Sequence, residues 1–238
     1  MRVAVLQSCY LPWKGYFDII AAVDLFIFYD DVQFTKNDWR NRNQIKTQAG
    51  KQWISIPVGT DLNRLIQDVA LTDPTWQAKH WATLKQNYGK APQFAALKPF
   101  LEEVYLGTTW TNLSALNQFL TERIARDFLG LTTRFERSSQ YQLQGIRQER
   151  LLDLLRQVGA TWYLSGPSGA AYLDAGLFRE RGIELAYQSY QGYPEYPQFH
   201  PPFEHGVSIV DLLFQVGTRA PEFIWGWRSG QGQVRTSP

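Results

Sequence analysis

Val3-Ala-Val-Leu6 is followed directly by Gln7-Ser-Cys-Tyr-Leu-Pro-Trp-Lys-Gly-Tyr-Phe17. A short apolar run bounded by proline and glycine is typical of a buried strand that leaves a sheet through a tight turn. In open α/β sheets, ligands usually bind outside the carboxyl ends of the strands. The polar and aromatic side chains of this turn are therefore the first candidates for a binding site. The predicted binding residues of the turn are Gln7, Tyr10, Trp13, Lys14 and Tyr16.

Strands and helices alternate in two blocks of the chain. Apolar runs predict strands at residues 2–6, 24–29, 53–58, 132–137, 161–165 and 183–190, and helical spacing predicts helices at 16–22, 147–158, 174–181 and 207–216. A strand, a helix and a second strand in that order favour a parallel βαβ unit. The sequence thus predicts an α/β fold with a mostly parallel, Rossmann-like sheet and helices on both faces.

The middle of the chain has a different pattern. Apolar residues recur at helical spacing over 76–88, 92–105 and 111–129, and glycine or proline separates these stretches. We therefore predict a single α/β domain over residues 1–227 with a helical insertion at about 74–130. The polar stretch 228–238 is predicted to be a flexible tail.

Composition narrows the class of protein. With 44% hydrophobic and 19% charged residues, the 238-residue chain is typical of a globular protein. No apolar run is long enough for a membrane span or a signal peptide, so a cytoplasmic location is expected. The net charge of +2 is too small to indicate a nucleic-acid partner. The single cysteine, Cys9, excludes an internal disulfide; its thiol could be a nucleophile, but a packing role is more common.

A second polar segment, Asp30–Lys46, follows the second predicted strand. In a parallel sheet, the beginning of this segment lies beside the first turn. The segment's basic and amide side chains around Trp39 suit a ligand that carries phosphate or carboxylate groups. A solvated, charge-paired loop is the alternative. Asp30 and Asp31 could act as general bases or bind Mg²⁺, although adjacent carboxylates also often cap the following segment. The predicted substrate-binding residues of this segment are Gln33, Lys36, Trp39, Asn41, Arg42 and Lys46; the last two would project together if this part were helical.

Two later segments add candidates. Small residues follow the strand that ends at Ser165 and Gly166, and they either expose amides to an anion or form a plain turn. His200 is the best general-base candidate among three histidines because imidazole titrates near neutral pH, with a structural role as the alternative. His205 and Glu204 are too sparsely accompanied to predict a metal site.

These segments together resemble the WbqC-like protein family. The resemblance rests on Gln7 with Tyr10-Leu-Pro-Trp-Lys-Gly-Tyr-Phe17, on Asp30-Asp-Val-Gln-Phe34 with Trp39-Arg-Asn-Arg-Asn-Gln-Ile-Lys46, and on Tyr163-Leu-Ser-Gly166, Tyr172-Leu-Asp174 and Ser208-Ile-Val-Asp-Leu-Leu-Phe214 with Gly217. The family takes its name from bacterial O-antigen and surface-polysaccharide gene clusters. Its members have been proposed to transfer glycine, another amino acid or an acyl group to an amino sugar. The resemblance identifies neither a catalytic residue nor a cofactor.

The residues and the resemblance lead to one expectation and two alternatives. We expect an enzyme that transfers an aminoacyl or acyl group to a nucleotide-linked or phosphorylated amino sugar. Its basic side chains would bind phosphate, its aromatic side chains would stack on rings, and Asp30, Asp31 or His200 would accept the proton of the attacking amine. The same residues would serve a non-catalytic module that binds a sugar nucleotide or a partner protein. RNA binding is a third possibility, which the small net charge disfavours.

Overall fold

A computed structural model describes residues 1–231. Within them the strands are β1 (Arg2–Leu6), β2 (Leu25–Phe28), β3 (Arg42–Thr47), β4 (Gly50–Ser55), β5 (Arg134–Arg137), β6 (Trp162–Ser165) and β7 (Glu184–Tyr187). The α-helices are α1 (Lys14–Ala21), α2 (Thr75–Tyr88), α3 (Phe94–Glu102), α4 (Leu113–Arg123), α5 (Arg147–Gln157), α6 (Ala175–Glu180) and α7 (Ile209–Val216). The predicted α/β class is confirmed.

Five of the strands form the main sheet, and all their pairings are parallel. The order across the sheet is β5-β2-β1-β6-β7. From β1 the chain first builds outward through β2 and β5, and then crosses back to place β6 on the other side of β1. The strand order therefore reverses between β1 and β6, which is the position where open α/β sheets bind ligands.

Helices cover both faces of this sheet because successive strand residues point to opposite sides. Val3 and Val5 belong to one buried cluster with the leucines of α5 and a phenylalanine of α6. Ala4, Phe26 and Phe28 belong to the other buried cluster, with residues of α1, the middle helices and α7. Residues 3–5 of β1 and all of β2 are buried and lie between two helical layers.

The polar segment after β2 contains a strand that the sequence analysis did not predict. β3 pairs with β4 in an antiparallel hairpin outside the main sheet, with Arg42 opposite Ser55 and Thr47 opposite Gly50. Arg42 and Lys46 therefore lie on a strand and not on a helix. This strand was not predicted because most of its residues are polar. Ile45 is its one large apolar side chain, and it is fully buried.

The middle helices pack against α7. Asn112 caps α4 by accepting a hydrogen bond from the Ala115 amide at 2.9 Å. The Tyr88 ring at the end of α2 stacks on Phe214 of α7 with 4.7 Å between centroids. No helix among residues 1–231 is long and apolar enough to span a bilayer. Of the predicted tail, residues 232–238 lie outside the described residues.

Candidate functional site

A cavity of about 710 Å³ lies at the carboxyl ends of β1 and β6. Its volume is within the range of small-molecule sites, and it occupies the point where the strand order reverses. Its walls come from the turn after β1, the β3 hairpin, the loop after β6 and the loop after β7. The lining residues are Val5, Leu6, Gln7, Cys9, Pro12, Trp13, Tyr16, Tyr29, Trp39, Arg40, Asn43, Tyr163, Ser165, Gly166, Pro167, Ser168, Tyr172, Tyr190 and Gly206.

The hairpin holds the turn after β1 in an uncommon backbone conformation. Leu11 has a φ of 42°, a region that non-glycine residues rarely adopt. The Asn43 side-chain amide donates to the carbonyl oxygens of Tyr10 at 3.1 Å and Leu11 at 2.7 Å. The Tyr10 amide in turn donates to the Trp39 carbonyl at 3.0 Å. These bonds compensate the strained conformation and fix the turn at the cavity edge.

Trp13 forms a wall of the cavity because a glycine leaves room for its indole. Its ring packs edge-on against Tyr190, with 4.7 Å between centroids. A Cβ atom on Gly15 would lie 2.3 Å from Cζ2 of this indole, which is far inside van der Waals contact. Gly15 therefore sets the orientation of Trp13.

Replacing Gly15 by alanine should displace the Trp13 ring from the cavity wall. We expect the overpacking to lower the free energy of unfolding by about 1–3 kcal/mol. Urea denaturation measures the stability, and a crystal structure of the variant shows the indole. Gly107→Ala is the control, because its added Cβ would have its nearest neighbour at 3.8 Å, outside the cavity lining. An unshifted indole in a fully stable Gly15→Ala variant would contradict this account.

The loop after β6 also depends on a close approach. A Cβ atom on Gly169 would lie 2.2 Å from the Ser165 hydroxyl oxygen, so only glycine fits there. The loop passes over Ser165 to Tyr172, whose side chain lines the cavity and is 70% exposed. Trp39 lines the cavity as well and is 44% exposed. Two aromatic rings are thus open to both solvent and cavity.

Among the described residues, Arg40 is the one formally charged side chain in the cavity lining. It is buried, with 9% of its surface exposed. Cys9 lines the cavity too, and burial raises the pKa of its thiol to about 11. The sulfur is therefore protonated at neutral pH, whereas nucleophilic cysteines react as thiolates. Residues 1–231 contain no group of three His, Cys, Asp or Glu side chains that could hold a metal ion.

Six of the predicted binding residues line this cavity: Gln7, Trp13, Tyr16, Trp39, Ser165 and Gly166. Another, Tyr10, lies in the core, where its hydroxyl meets Nδ1 of His80 at 2.9 Å and the hydroxyl of Tyr105 at 2.5 Å. In the first turn, Trp13 and Tyr16 therefore line the cavity, whereas Tyr10 packs in the core.

Lys14 points away from the cavity lining into a buried cluster of aromatic rings. Its Nζ atom lies 4.8 Å from the ring centroid of Tyr193 and donates to the Pro194 carbonyl at 3.3 Å. Burial lowers the pKa of this ammonium to about 8, and the charges of Asp18 and Asp211 partly oppose that shift. The ammonium binds the loop after β7 to α1.

The other polar candidates of the second segment also bind backbone outside the cavity lining. Lys46 donates to the Pro202 carbonyl, and Asn41 donates to the Ile56 carbonyl at 2.8 Å. Arg42 donates to the Asn37 carbonyl and lies over the Trp53 ring. Gln33 and Lys36 are on the exposed part of the loop, where Gln33 donates to the Leu62 carbonyl at 3.3 Å.

The three predicted proton acceptors lie outside the cavity lining. Asp30 is buried and accepts hydrogen bonds from the Ser8 amide at 2.8 Å, from Gln118 at 2.9 Å and from the Ser114 hydroxyl. Asp31 pairs with Arg150 and accepts a bond from the Ser138 hydroxyl. The exposed His200 has a φ of 60°.

Sequence reasoning did not select several residues that the fold brings to the cavity. Arg40 and Asn43 belong to the motif that carried the family resemblance, but the choice fell on their neighbours. Because β3 was not predicted, there was no basis in the sequence for placing Asn43 on a hairpin beside the first turn. Tyr163 and Tyr172 begin two further segments of the resemblance and were not selected either, whereas no sequence signal distinguishes Tyr29 and Tyr190 from core residues.

The fold and the cavity define a Rossmann-like α/β protein with a cavity of small-molecule size at the reversal of strand order. The model of the WbqC-like protein family matches residues 7–223, and the chain belongs to this family. It is 45% identical over 225 residues to the uncharacterized protein Rv1507c of Mycobacterium tuberculosis (strain ATCC 25618 / H37Rv), covering 94% of this chain and 97% of the relative. No solved structure matches the chain.

Proposed function

We propose that this protein is a cytoplasmic transferase that adds an aminoacyl group such as glycyl, or another acyl group, to an amino sugar or sugar nucleotide in surface-polysaccharide (O-antigen) biosynthesis. Membership of the WbqC-like family supports the reaction class. The observation that carries the proposal is the 710 Å³ cavity, which combines aromatic rings with a buried arginine at the carboxyl ends of β1 and β6.

The cavity lining suits such an acceptor. The rings of Trp39 and Tyr172 can stack on a sugar or base ring, because an aromatic face is a flat apolar surface that packs against other rings. The Gln7 amide and the Ser165 hydroxyl can hydrogen-bond to sugar hydroxyl groups. In the reaction, the acceptor amine would form a bond to the acyl carbon, while the bond from that carbon to the donor's leaving group breaks and the amine loses a proton.

Transfer is tested by mass spectrometry of reactions that contain the protein, an activated glycyl or acetyl donor and a uridine-diphosphate amino sugar. We expect an acylated sugar, and a strong loss of product with Tyr172→Ala because the rim loses a stacking surface. Tyr187→Ala is the matched control, since Tyr187 is also an exposed tyrosine near a strand end but lies outside the cavity lining. Equal product from the two variants would contradict the assignment of the cavity.

One observation favours a second candidate, a non-catalytic module that binds a sugar nucleotide. Asp30 and Asp31 are held in internal hydrogen bonds and ion pairs, and His200 lies outside the cavity lining. A binding module needs no proton acceptor in its site. Saturable binding of the sugar nucleotide, with no product from any donor, would support the module over the transferase.

A further inference from the structure

Arg40 is a buried cation with few hydrogen bonds. A guanidinium carries five N–H donors. Its Nη1 atom donates to the Ser8 carbonyl at 3.2 Å, and Nη2 lies 3.5 Å from a carboxylate oxygen of Asp38. Its Nε atom is buried and has no hydrogen-bond partner among the described residues. Arg40 thus lines the cavity and carries at least one buried N–H donor without a partner among the described residues.

The carboxylates of Asp38 and Asp30 both act on the charge of Arg40, and Asp38, the one within 4 Å of the guanidinium, is shared with other donors. Asp38 also accepts hydrogen bonds from the Thr35 hydroxyl at 2.8 Å and from the Trp39 amide at 2.7 Å. Its side chain is 33% exposed, whereas that of Arg40 is 11% exposed. Buried donors in proteins normally have partners, and an arginine matches the geometry of carboxylate and phosphate groups.

Three other cations of the first turn and of the Asp30–Lys46 segment have partners elsewhere. Lys14 and Lys46 donate to loop carbonyl groups, and Arg42 lies 4.3 Å from the centroid of the Trp53 ring. None of these three lines the cavity, and no described carboxylate lines it either. An anionic ligand in this cavity therefore meets Arg40 as its only formal charge among residues 1–231.

We propose that Arg40 binds an oxyanion of the ligand, a phosphoryl or carboxyl group carried on a sugar, and that this contact selects charged sugars over neutral ones. The inference rests on the proposed function, in which a sugar occupies this cavity. A single guanidinium matches a single oxyanion. The ring of the same ligand then extends toward the exposed faces of Trp39 and Tyr172.

Isothermal titration calorimetry with three probes tests this inference. N-acetylglucosamine is neutral, N-acetylglucosamine 1-phosphate adds a phosphoryl group, and N-acetylmuramic acid adds a carboxyl group. We expect the wild type to bind at least one anionic probe about 10- to 100-fold more tightly than the neutral sugar, because charge-assisted hydrogen bonds are stronger than neutral ones. The better anionic probe identifies which group Arg40 binds. No preference over the neutral sugar would overturn the inference.

Variants locate the contact. Arg40→Gln should remove the preference, so that this variant binds the anionic probe no more tightly than the neutral sugar. Arg42→Gln makes the same substitution two residues away, outside the cavity lining, and should keep the preference. If Arg40→Gln does not fold, Arg40→Lys decides, since it keeps the charge but loses the planar donors and should weaken anion binding several-fold. An undiminished preference in the folded Arg40 variants would overturn the inference.

The two proposals fail in different ways. Anion preference that depends on Arg40, without any acyl transfer, would leave this inference standing and refute the transferase. Acyl transfer to a charged sugar that is unchanged in Arg40→Gln would refute this inference and leave the transferase standing.

Discussion

Asp18→Ala should lower the free energy of unfolding by about 2–3 kcal/mol, because it leaves the buried Tyr193 hydroxyl without its acceptor and removes the ion-pair partner of Arg228, whose own side chain is 37% exposed. The Asp18 side chain is 2% exposed and accepts two hydrogen bonds from Arg228, at 2.8 and 2.7 Å. It also accepts hydrogen bonds from the Tyr193 hydroxyl at 2.6 Å and from Gln188 at 2.7 Å. One carboxylate on α1 thus holds both the loop after β7 and the segment that contains Arg228.

The same substitution should loosen a wall of the cavity. Tyr193 stacks against Tyr190, with 6.3 Å between ring centroids, and Tyr190 lines the cavity. Without Asp18 the hydroxyl of Tyr193 loses its acceptor, so the wall formed by Tyr190 loses its support. We expect faster amide hydrogen exchange over residues 188–196 in the variant.

Chemical denaturation of Asp18→Ala and of a matched control measures the stability. Asp127→Ala removes a carboxylate that also pairs with an arginine, Arg123, but this pair is exposed on both sides. Exposed ion pairs contribute at most about 1 kcal/mol. Asp18→Ala should therefore be several-fold more destabilising than Asp127→Ala. Equal losses would show that the burial of Asp18 has no energetic consequence.

The centre of the main sheet could be predicted from sequence because residues 3–6 of β1 and all of β2 are apolar. Val3 and Val5 face one helical layer and Ala4 the other, so the buried part of β1 has no polar side chain. The hairpin strand β3 could not, because its polar side chains bind backbone groups from distant parts of the chain. Lys46, for example, donates to the carbonyl of Pro202.

The cavity could be predicted only in part, because the partners of its polar side chains are also far away in the sequence. The position of the first turn follows from the strand that precedes it, and this places Gln7 and Trp13 at the cavity. The direction of a charged side chain depends on partners that are far away in sequence. Lys14 donates to Pro194, whereas Arg40 remains at the cavity. Charge and spacing alone do not distinguish these two cations.

Acidification should destabilise the fold through His80, which is 6% exposed. Nε2 of His80 lies 3.2 Å from the Ser55 carbonyl, which can only accept, so Nε2 carries the hydrogen. Nδ1 then accepts a hydrogen bond from the Tyr10 hydroxyl, which can in turn accept one from Tyr105. The neutral imidazole satisfies this arrangement, whereas a proton on Nδ1 would reverse both tyrosine hydrogen bonds and place a charge in the core.

Burial lowers the pKa of His80 to about 4, although the hydrogen bond to the Ser55 carbonyl acts in the opposite direction. The unfolded chain has the ordinary pKa of about 6.5, so it binds the proton first as the pH falls. The stabilisation from the neutral histidine is complete above about pH 6.5 and is lost between pH 6.5 and 4. At 1.36 kcal/mol per pKa unit, the total loss is about 3 kcal/mol.

His80→Gln isolates this contribution from that of other titrating groups. The variant should be less stable than the wild type at pH 7.5, because glutamine does not reproduce both hydrogen bonds. Between pH 7 and 4, however, its free energy of unfolding should fall by about 3 kcal/mol less than that of the wild type.

Tyr105→Phe is the control, since it removes a hydroxyl from the same network and keeps the histidine, so its pH dependence should match the wild type. Urea denaturation at a series of pH values gives the three slopes. A His80→Gln slope equal to that of the wild type would mean that His80 does not couple folding to pH. The Tyr10 amide also donates to the carbonyl of Trp39, which lines the cavity. Protonation of His80 should therefore also disturb the cavity wall that Trp39 forms.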